Sequence, residues 1–391
     1  MEIESSVKEL LDPLWADAVK LKIPLYLQFE LTARCNLMCR MCYIASNSEE
    51  NHRRELSAAK WLEIARQARD SGLMVANITG GEPLMKEDFW ELHDGLTKLG
   101  VVYTLNTNGT TMTKESVKRL AQSPPFRVLV SVYGGSEDTY AKLTTHGRWF
   151  NQARAGVENL LEAGVRTLVR MTLVRDNLHE LESVFNWADS LGHRLFISDY
   201  MSPRRECGET DPVGTRLNPV QMVGARSALQ SLTLQRMERL ISDAPQPAEP
   251  EKPMPEKTED APPEEGAAPE KNTPPEPYRF MTADGFGCGS GSAAGFISYD
   301  GRLLPCGMAN EPSISLLDAG FHDSWQELTR LSREVPSCAE CDACELSRYC
   351  VPCPPKLKSE SGSFNKKSSF LCEHASLLES YYENRAHRQR V

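Results

Sequence analysis

Three thiols lie within eight residues, Cys35-Asn36-Leu37-Met38-Cys39-Arg40-Met41-Cys42, directly after an apolar run. Thiolates are soft ligands, and a C-x3-C-x2-C loop suits an iron–sulfur cluster. A four-iron cube takes four ligands, so three cysteines leave one iron able to bind a small molecule. A structural zinc site, or three buried thiols without a metal, is the other reading of the same spacing. A second set stands far downstream: Cys288 and Cys306 flank Gly301, and Cys338, Cys341, Cys344, Cys350, Cys353 and Cys372 follow. C-x2-C pairs are ordinary zinc spacings too.

The chain has 391 residues, 12 cysteines and a formal charge of −10. It opens on the acidic Met1-Glu2-Ile3-Glu4, and no apolar run reaches the length of a membrane span, so neither a signal peptide nor a membrane segment is expected. The expected location is cytoplasmic, where thiols serve as metal ligands rather than disulfides. Between Asp243 and Pro277 ten acidic residues stand against three lysines, which leaves about −3 for the rest and no broad basic face for nucleic acid. The histidines are scattered, and neither a Ser/His/Asp order nor a GxxxxGK phosphate loop is present.

The elements that must position these thiols follow a regular order. Residues 1–22 carry Val7, Leu10, Leu11, Leu14 and Ala18 at helical spacing, interrupted by Pro13, which predicts a short docking helix. No room is expected before Cys35 for a separate leader-peptide-binding domain. Residues 23–241 then alternate six predicted strands with helices, and each parallel crossover needs such a helix. This is an α/β pattern with the cysteine loop after the first strand, and in barrels of this kind chemistry gathers at the carboxyl ends of strands. Gly80-Gly81-Glu82-Pro83 follows the second strand, where glycines allow close backbone approach to a ligand; a tight turn is the plainer alternative. Residues 242–277, eleven of them proline, predict a disordered acidic linker. A small cysteine-rich domain is expected over 278–375, then a basic, frayed tail over 376–391.

Taken together, the cysteine loop and Gly80-Gly81-Glu82-Pro83 resemble the signature of the radical S-adenosylmethionine (SAM) enzymes. The resemblance implies a partial (β/α)6 barrel in which Cys35, Cys39 and Cys42 hold a [4Fe-4S] cluster. SAM completes the cluster, and its reductive cleavage yields a 5′-deoxyadenosyl radical that abstracts hydrogen from a substrate. Met41 stands where an aromatic residue near the adenine is usual. Gly80, Gly81 and Glu82 match the element that holds the SAM amino group, and Ser131 the residue that reaches the ribose. Thr144 stands near the usual place of an arginine for the SAM carboxylate, with Arg148 or Arg170 as substitutes.

The downstream spacing, C-x12-G-x4-C, then C-x2-C-x5-C-x2-C, then Cys372, resembles the SPASM domain, a carboxyl-terminal extension with one or two auxiliary [4Fe-4S] clusters. The usual last spacing in the middle group is three, and here Val351-Pro352 gives two. By match, Cys341, Cys344, Cys350 and Cys372 close around one cluster, while Cys288, Cys306 and Cys353 hold another that is one ligand short. Cys338 is the nearest candidate for that position, with an exchangeable ligand or the substrate as alternatives. The resemblance further implies a peptide or protein substrate, most readily a ribosomally made peptide that is cross-linked, oxidised or epimerised, and a flavodoxin- or ferredoxin-type electron donor. Haem-type tetrapyrrole modification and sulfatase maturation are other branches, and a zinc-stabilised interaction module is a different class. Cys207, on the loop after the sixth strand, is a candidate hydrogen-atom donor or the missing ligand; a partly buried cysteine without a role is the alternative.

Overall fold

A computed structural model describes residues 2–44, 47–203, 212–242, 286–350 and 352–388. Cys207 and the acidic run from Asp243 to Pro277 lie outside these residues. The strands β1 (Tyr26–Glu30), β2 (Val75–Thr79), β3 (Val102–Thr107), β4 (Arg127–Val132), β5 (Thr167–Thr172) and β6 (Leu195–Ser198) pair in parallel in the order 6-5-4-3-2-1. Among the described residues no pairing joins β6 to β1, so the sheet is an open partial barrel.

Helix α1 (Glu2–Leu21) precedes the sheet, and α2 (Glu49–Arg53), α3 (Ala58–Asp70), α4 (Phe89–Leu99), α5 (Lys114–Leu120), α6 (Glu137–Thr144), α7 (Trp149–Glu162) and α8 (Leu181–Ser190) connect its strands. Helix α9 (Pro219–Ser242) follows β6. Local chemistry sets the boundaries. Ser57 caps α3 by accepting from the Lys60 N–H, and Trp61, Ile64, Ala65 and Ala68 form its buried stripe. Gly100 ends α4 in the left-handed region at φ 71°. At the start of α9, Asn218 Oδ1 accepts from the Gln221 N–H (2.8 Å) while Gln221 Oε1 accepts from the Asn218 N–H (3.0 Å), a reciprocal cap beside Pro219.

Alternation sorts the two faces of the sheet. Leu27, Phe29, Ala76, Ile78, Tyr103, Leu105, Val128, Val130, Val169 and Met171 share one core with the helices. The other face is polar, and it carries Gln28, Asn77 and Thr104 in one row and Ser131 beside Arg170 in another.

The cysteine-rich part does not build a separate sheet. Strand β7 (Ala294–Ile297) pairs in parallel with the free side of β1, and β8 (Arg302–Leu304) and β9 (Ile314–Ser315) continue antiparallel, for nine strands in all. Helix α10 (Phe321–Arg333) lays Phe321, Trp325 and Leu328 into the same core as Leu27. A Cβ at Gly295 would stand 2.9 Å from the Trp325 ring, so only glycine permits this approach. Helices α11 (Ala339–Asp342), α12 (Pro354–Ser361) and α13 (Ser369–Arg388) complete the chain.

Two ends differ from expectation. Pro13 does not interrupt α1, which is continuous over 20 residues; a proline removes one backbone donor but need not stop a helix. The segment expected as a frayed tail from residue 376 is the greater part of α13. It is held against α9, where Arg385 Nη1 and the Tyr381 hydroxyl each donate to Gln230 Oε1 at 2.8 Å.

Candidate active site

The loop after β1 is fixed from both sides before any ligand is considered. Glu55 accepts from the Thr32 hydroxyl (2.6 Å) and the Ala33 N–H (3.0 Å) through one oxygen, and from Arg34 Nε (3.2 Å) through the other. Further along, the Arg40 N–H donates to the Leu143 carbonyl (3.0 Å) and its guanidinium pairs with Asp176. Asn36 donates to Thr110 (2.7 Å) and accepts from Asn108 (3.0 Å), whose amide also points at Cys35 Sγ (3.8 Å). The three thiols share one neighbourhood. Burial pushes Cys35 up to about 12, with the charges of Glu82 and Cys42 adding to it. Burial raises Cys39 well above the usual thiol range, followed by the charges of Cys42 and Cys35.

Gly80 and Gly81 serve this loop directly. The Gly81 N–H donates to the Thr32 carbonyl and the Glu82 N–H to the Arg34 carbonyl, both at 2.8 Å. Glu82 is fully buried. Its oxygens accept from the Thr107 hydroxyl (2.9 and 3.0 Å), the Asn108 N–H (2.8 Å) and the Thr111 hydroxyl (3.2 Å), which ties the end of β3 to the loop. Burial raises the Glu82 carboxyl above its ordinary value, against the pull of those donors. Met41 is buried with Leu143, Val174 and Met201, and Cys39 and Tyr133 pack on that cluster.

Other expected contacts separate. Ser131 lies half-buried on the polar face, paired with Arg170. Arg148 does not join them: it is exposed at the start of α7, its guanidinium 4.6 Å from the Trp149 ring centre. Thr144 is buried and its hydroxyl donates to the Tyr140 carbonyl within α6. Thr144 carries no charge, and the Arg148 guanidinium is engaged with the Trp149 ring.

The downstream thiols act on one another, and Cys350 feels Cys372, Cys344 and Cys353. Burial pushes Cys306 up to about 12, with Cys353 and then Cys288 adding to it. Burial likewise pushes Cys341 up to about 12, followed by contact with Cys338 and the charges of Cys350 and Cys372; Cys372 in turn feels Cys344 and Cys338. Cys338, expected as the ligand missing from the three-thiol group, packs beside Cys341 and Cys350. Its carbonyl accepts from the Cys341 N–H at 2.8 Å in the turn that opens α11.

With this geometry in place, the comparisons decide the family: residues 29–188 match the Radical SAM superfamily. This part of the chain is a radical SAM domain. The chain is 25% identical over 350 residues to the AdoMet-dependent heme synthase of Methanosarcina barkeri, covering 89% of this chain and 96% of that protein. It is 32% identical over 179 residues to the mycofactocin maturase MftC of Mycolicibacterium smegmatis, covering 46% of this chain and 45% of that one. In fold it is similar to Streptococcus suis SuiB bound to precursor peptide SuiA, with a TM-score of 0.66 at 18% identity over 90% of this chain and 76% of that one. No helix among the described residues is long and apolar enough to cross a membrane.

The radical SAM cofactors are SAM and a [4Fe-4S] cluster, and the first three thiols suit the cluster in donor chemistry: soft, desolvated and mutually close. The fit is one of donors and neighbourhood rather than of finished coordination. Among the described residues no three Cys, His, Asp or Glu side chains are set to hold a metal ion. The supports Glu55, Asn36, Thr107 and Asn108 were missed in the sequence. Asn106-Thr107-Asn108-Gly109 stands at the carboxyl end of β3, the same strand-end signal that singled out Gly80-Gly81.

Proposed function

We propose that this radical SAM enzyme modifies a ribosomally made peptide or protein and that its downstream cysteines hold auxiliary iron–sulfur clusters. The observation that carries the reading is the C-x3-C-x2-C loop of Cys35, Cys39 and Cys42 at the carboxyl end of β1, braced by Gly81, Glu55 and Asn108. The peptide assignment is supported by the likeness to a mycofactocin maturase over the part that holds this loop, and by the fold shared with a peptide-bound enzyme.

Bound at the three thiols, a [4Fe-4S] cluster with SAM supplies a 5′-deoxyadenosyl radical for hydrogen abstraction. The protein's own part is to hold, orient and exclude water. Glu55 and the Gly80–Gly81 backbone fix the start of the loop. Met41, Leu143, Val174 and Met201 keep the Cys39 side dry. Ser131, half-buried on the polar side of the sheet, would reach the SAM ribose. Cys288, Cys306 and Cys353 would hold one auxiliary cluster, and Cys341, Cys344, Cys350 and Cys372 the second. A flavodoxin- or ferredoxin-type protein supplies the electron.

One observation favours a second reading: the similarity to an AdoMet-dependent heme synthase runs through 96% of that protein. A tetrapyrrole substrate is therefore the alternative. Anaerobic incubation with dithionite, SAM and either candidate peptides or a propionate-bearing tetrapyrrole, followed by mass spectrometry, separates them. A mass change in the peptide alone supports the first reading; a change in the tetrapyrrole alone replaces it with the second.

A further inference from the structure

A closed ring of hydrogen bonds beside the cysteine loop has one donor left over. The Asn36 amide donates to the Thr110 hydroxyl oxygen (2.7 Å), that hydroxyl donates to Asn108 Oδ1 (2.6 Å), and Asn108 Nδ2 donates back to Asn36 Oδ1 (3.0 Å). Asn108 Oδ1 accepts a second bond from the Thr110 N–H at 2.9 Å, and the Asn108 N–H donates to Glu82 at 2.8 Å. Two donors on Oδ1 fix which end of the amide is nitrogen. One N–H of Nδ2 closes the ring, and the acceptor facing the other is Cys35 Sγ at 3.8 Å. Asn108 and Thr110 are 5% and 9% exposed, which shields this N–H from solvent. The sulfur has another donor, the Leu37 N–H at 3.4 Å, which belongs to the turn of the loop itself. Asn108 reaches it from beyond the end of β3, 73 residues away in the chain.

We infer that Asn108 is a positioning residue that tunes the cluster at Cys35, its side-chain N–H making that cluster easier to reduce. The inference rests on the assignment of Cys35 to the SAM-binding [4Fe-4S] cluster above. One-electron reduction, with dithionite or the protein electron donor as reductant, adds one negative charge that the cluster shares with its thiolates. A donor on a thiolate stabilises the more negative state, and does so more strongly where water is excluded. Burial and the charge of Glu82 push the Cys35 thiol up, and the Leu37 and Asn108 donors pull the other way. The ring gives the Asn108 amide its orientation, as the partners behind a metal ligand commonly do.

Potentiometric electron paramagnetic resonance titration of the anaerobically reconstituted holoenzyme tests this. The signal followed is the one that changes when SAM is added and is absent from Cys35→Ala, which separates it from the downstream clusters. Asn108→Leu removes the donor at similar volume and adds no charge. Asn108→Leu with Thr110→Val also leaves no ring hydroxyl without its acceptor, which keeps the test open if the single variant fails to load. Both are expected to make the midpoint more negative by about tenfold in the reduction equilibrium, about 59 mV for one electron. Asn36→Ala breaks the ring but leaves the Asn108 N–H beside Cys35, and its equilibrium should stay within about twofold of wild type. A midpoint that is unmoved or less negative in an Asn108 variant that keeps the signal, or an equal shift in Asn36→Ala, overturns the tuning role and leaves Asn108 a brace of the loop. Loss of the signal from both Asn108 variants, with downstream iron retained, overturns it in the same way. Absence of a SAM-responsive signal from iron-replete wild type overturns the cluster assignment itself, and the inference with it.

Discussion

Gly81 lies directly on the backbone of Arg34: a Cβ added to the glycine would stand 2.2 Å from the Arg34 carbonyl oxygen. The obstacle is backbone, so a neighbouring side chain cannot relieve it by changing rotamer. Gly81→Ala should therefore displace the cysteine loop and lose the iron bound by Cys35, Cys39 and Cys42 while retaining the iron held downstream. Iron content per chain checks this, with full iron in the variant as the contrary result.

Glu82 is a second brace with a different chemistry. In Glu82→Gln, one end of the amide would point donors at the donors of Thr107, Asn108 or Thr111. A buried mismatch of this kind costs roughly 1–3 kcal/mol. Thermal unfolding should show the loss, and cluster loading at Cys35 should fall with it.

Much of this was legible before the fold. Six strand-and-helix units, the cap at Asn218 and the strand-end placement of Cys35 and Gly80 all follow from local periodicity and turn chemistry. The partner of Gly81 was not, because Arg34 lies far back in the chain and nothing local records the contact. The same limit hid β7. Ala294–Ile297 is too short to show an alternating pattern, and its parallel partner β1 lies near the other end of the chain. Cys338 was extra to the cysteine pattern, and its packing beside Cys350 across the turn into α11 is a tertiary contact that its spacing does not record.

Trp325 tests whether the cysteine-rich part shares the core of the sheet. Its indole is fully buried, stacks on Phe321 with ring centres 6.0 Å apart, and donates to the Lys22 carbonyl at 2.7 Å. Trp325→Ala should destabilise the whole protein by roughly 3–5 kcal/mol. Leu317→Ala, at an exposed site, should stay within about 0.5 kcal/mol of wild type. Denaturant midpoints measure both.

Cys338 offers a test of the thiol grouping. In a chain that already lacks Cys341 and Cys344, the further change Cys338→Ala should leave the iron held by Cys288, Cys306 and Cys353 unchanged. A drop in that iron would place Cys338 with the three-thiol group instead.

The central claim is that Cys35, Cys39 and Cys42 together support reductive cleavage of SAM. Its most direct measurement is 5′-deoxyadenosine formed from SAM and dithionite under anaerobic conditions, in the wild type and in Cys39→Ala. The account predicts product from the wild type and none from Cys39→Ala, which keeps its downstream iron. Equal 5′-deoxyadenosine from the two proteins, or none from an iron-replete wild type, would contradict it.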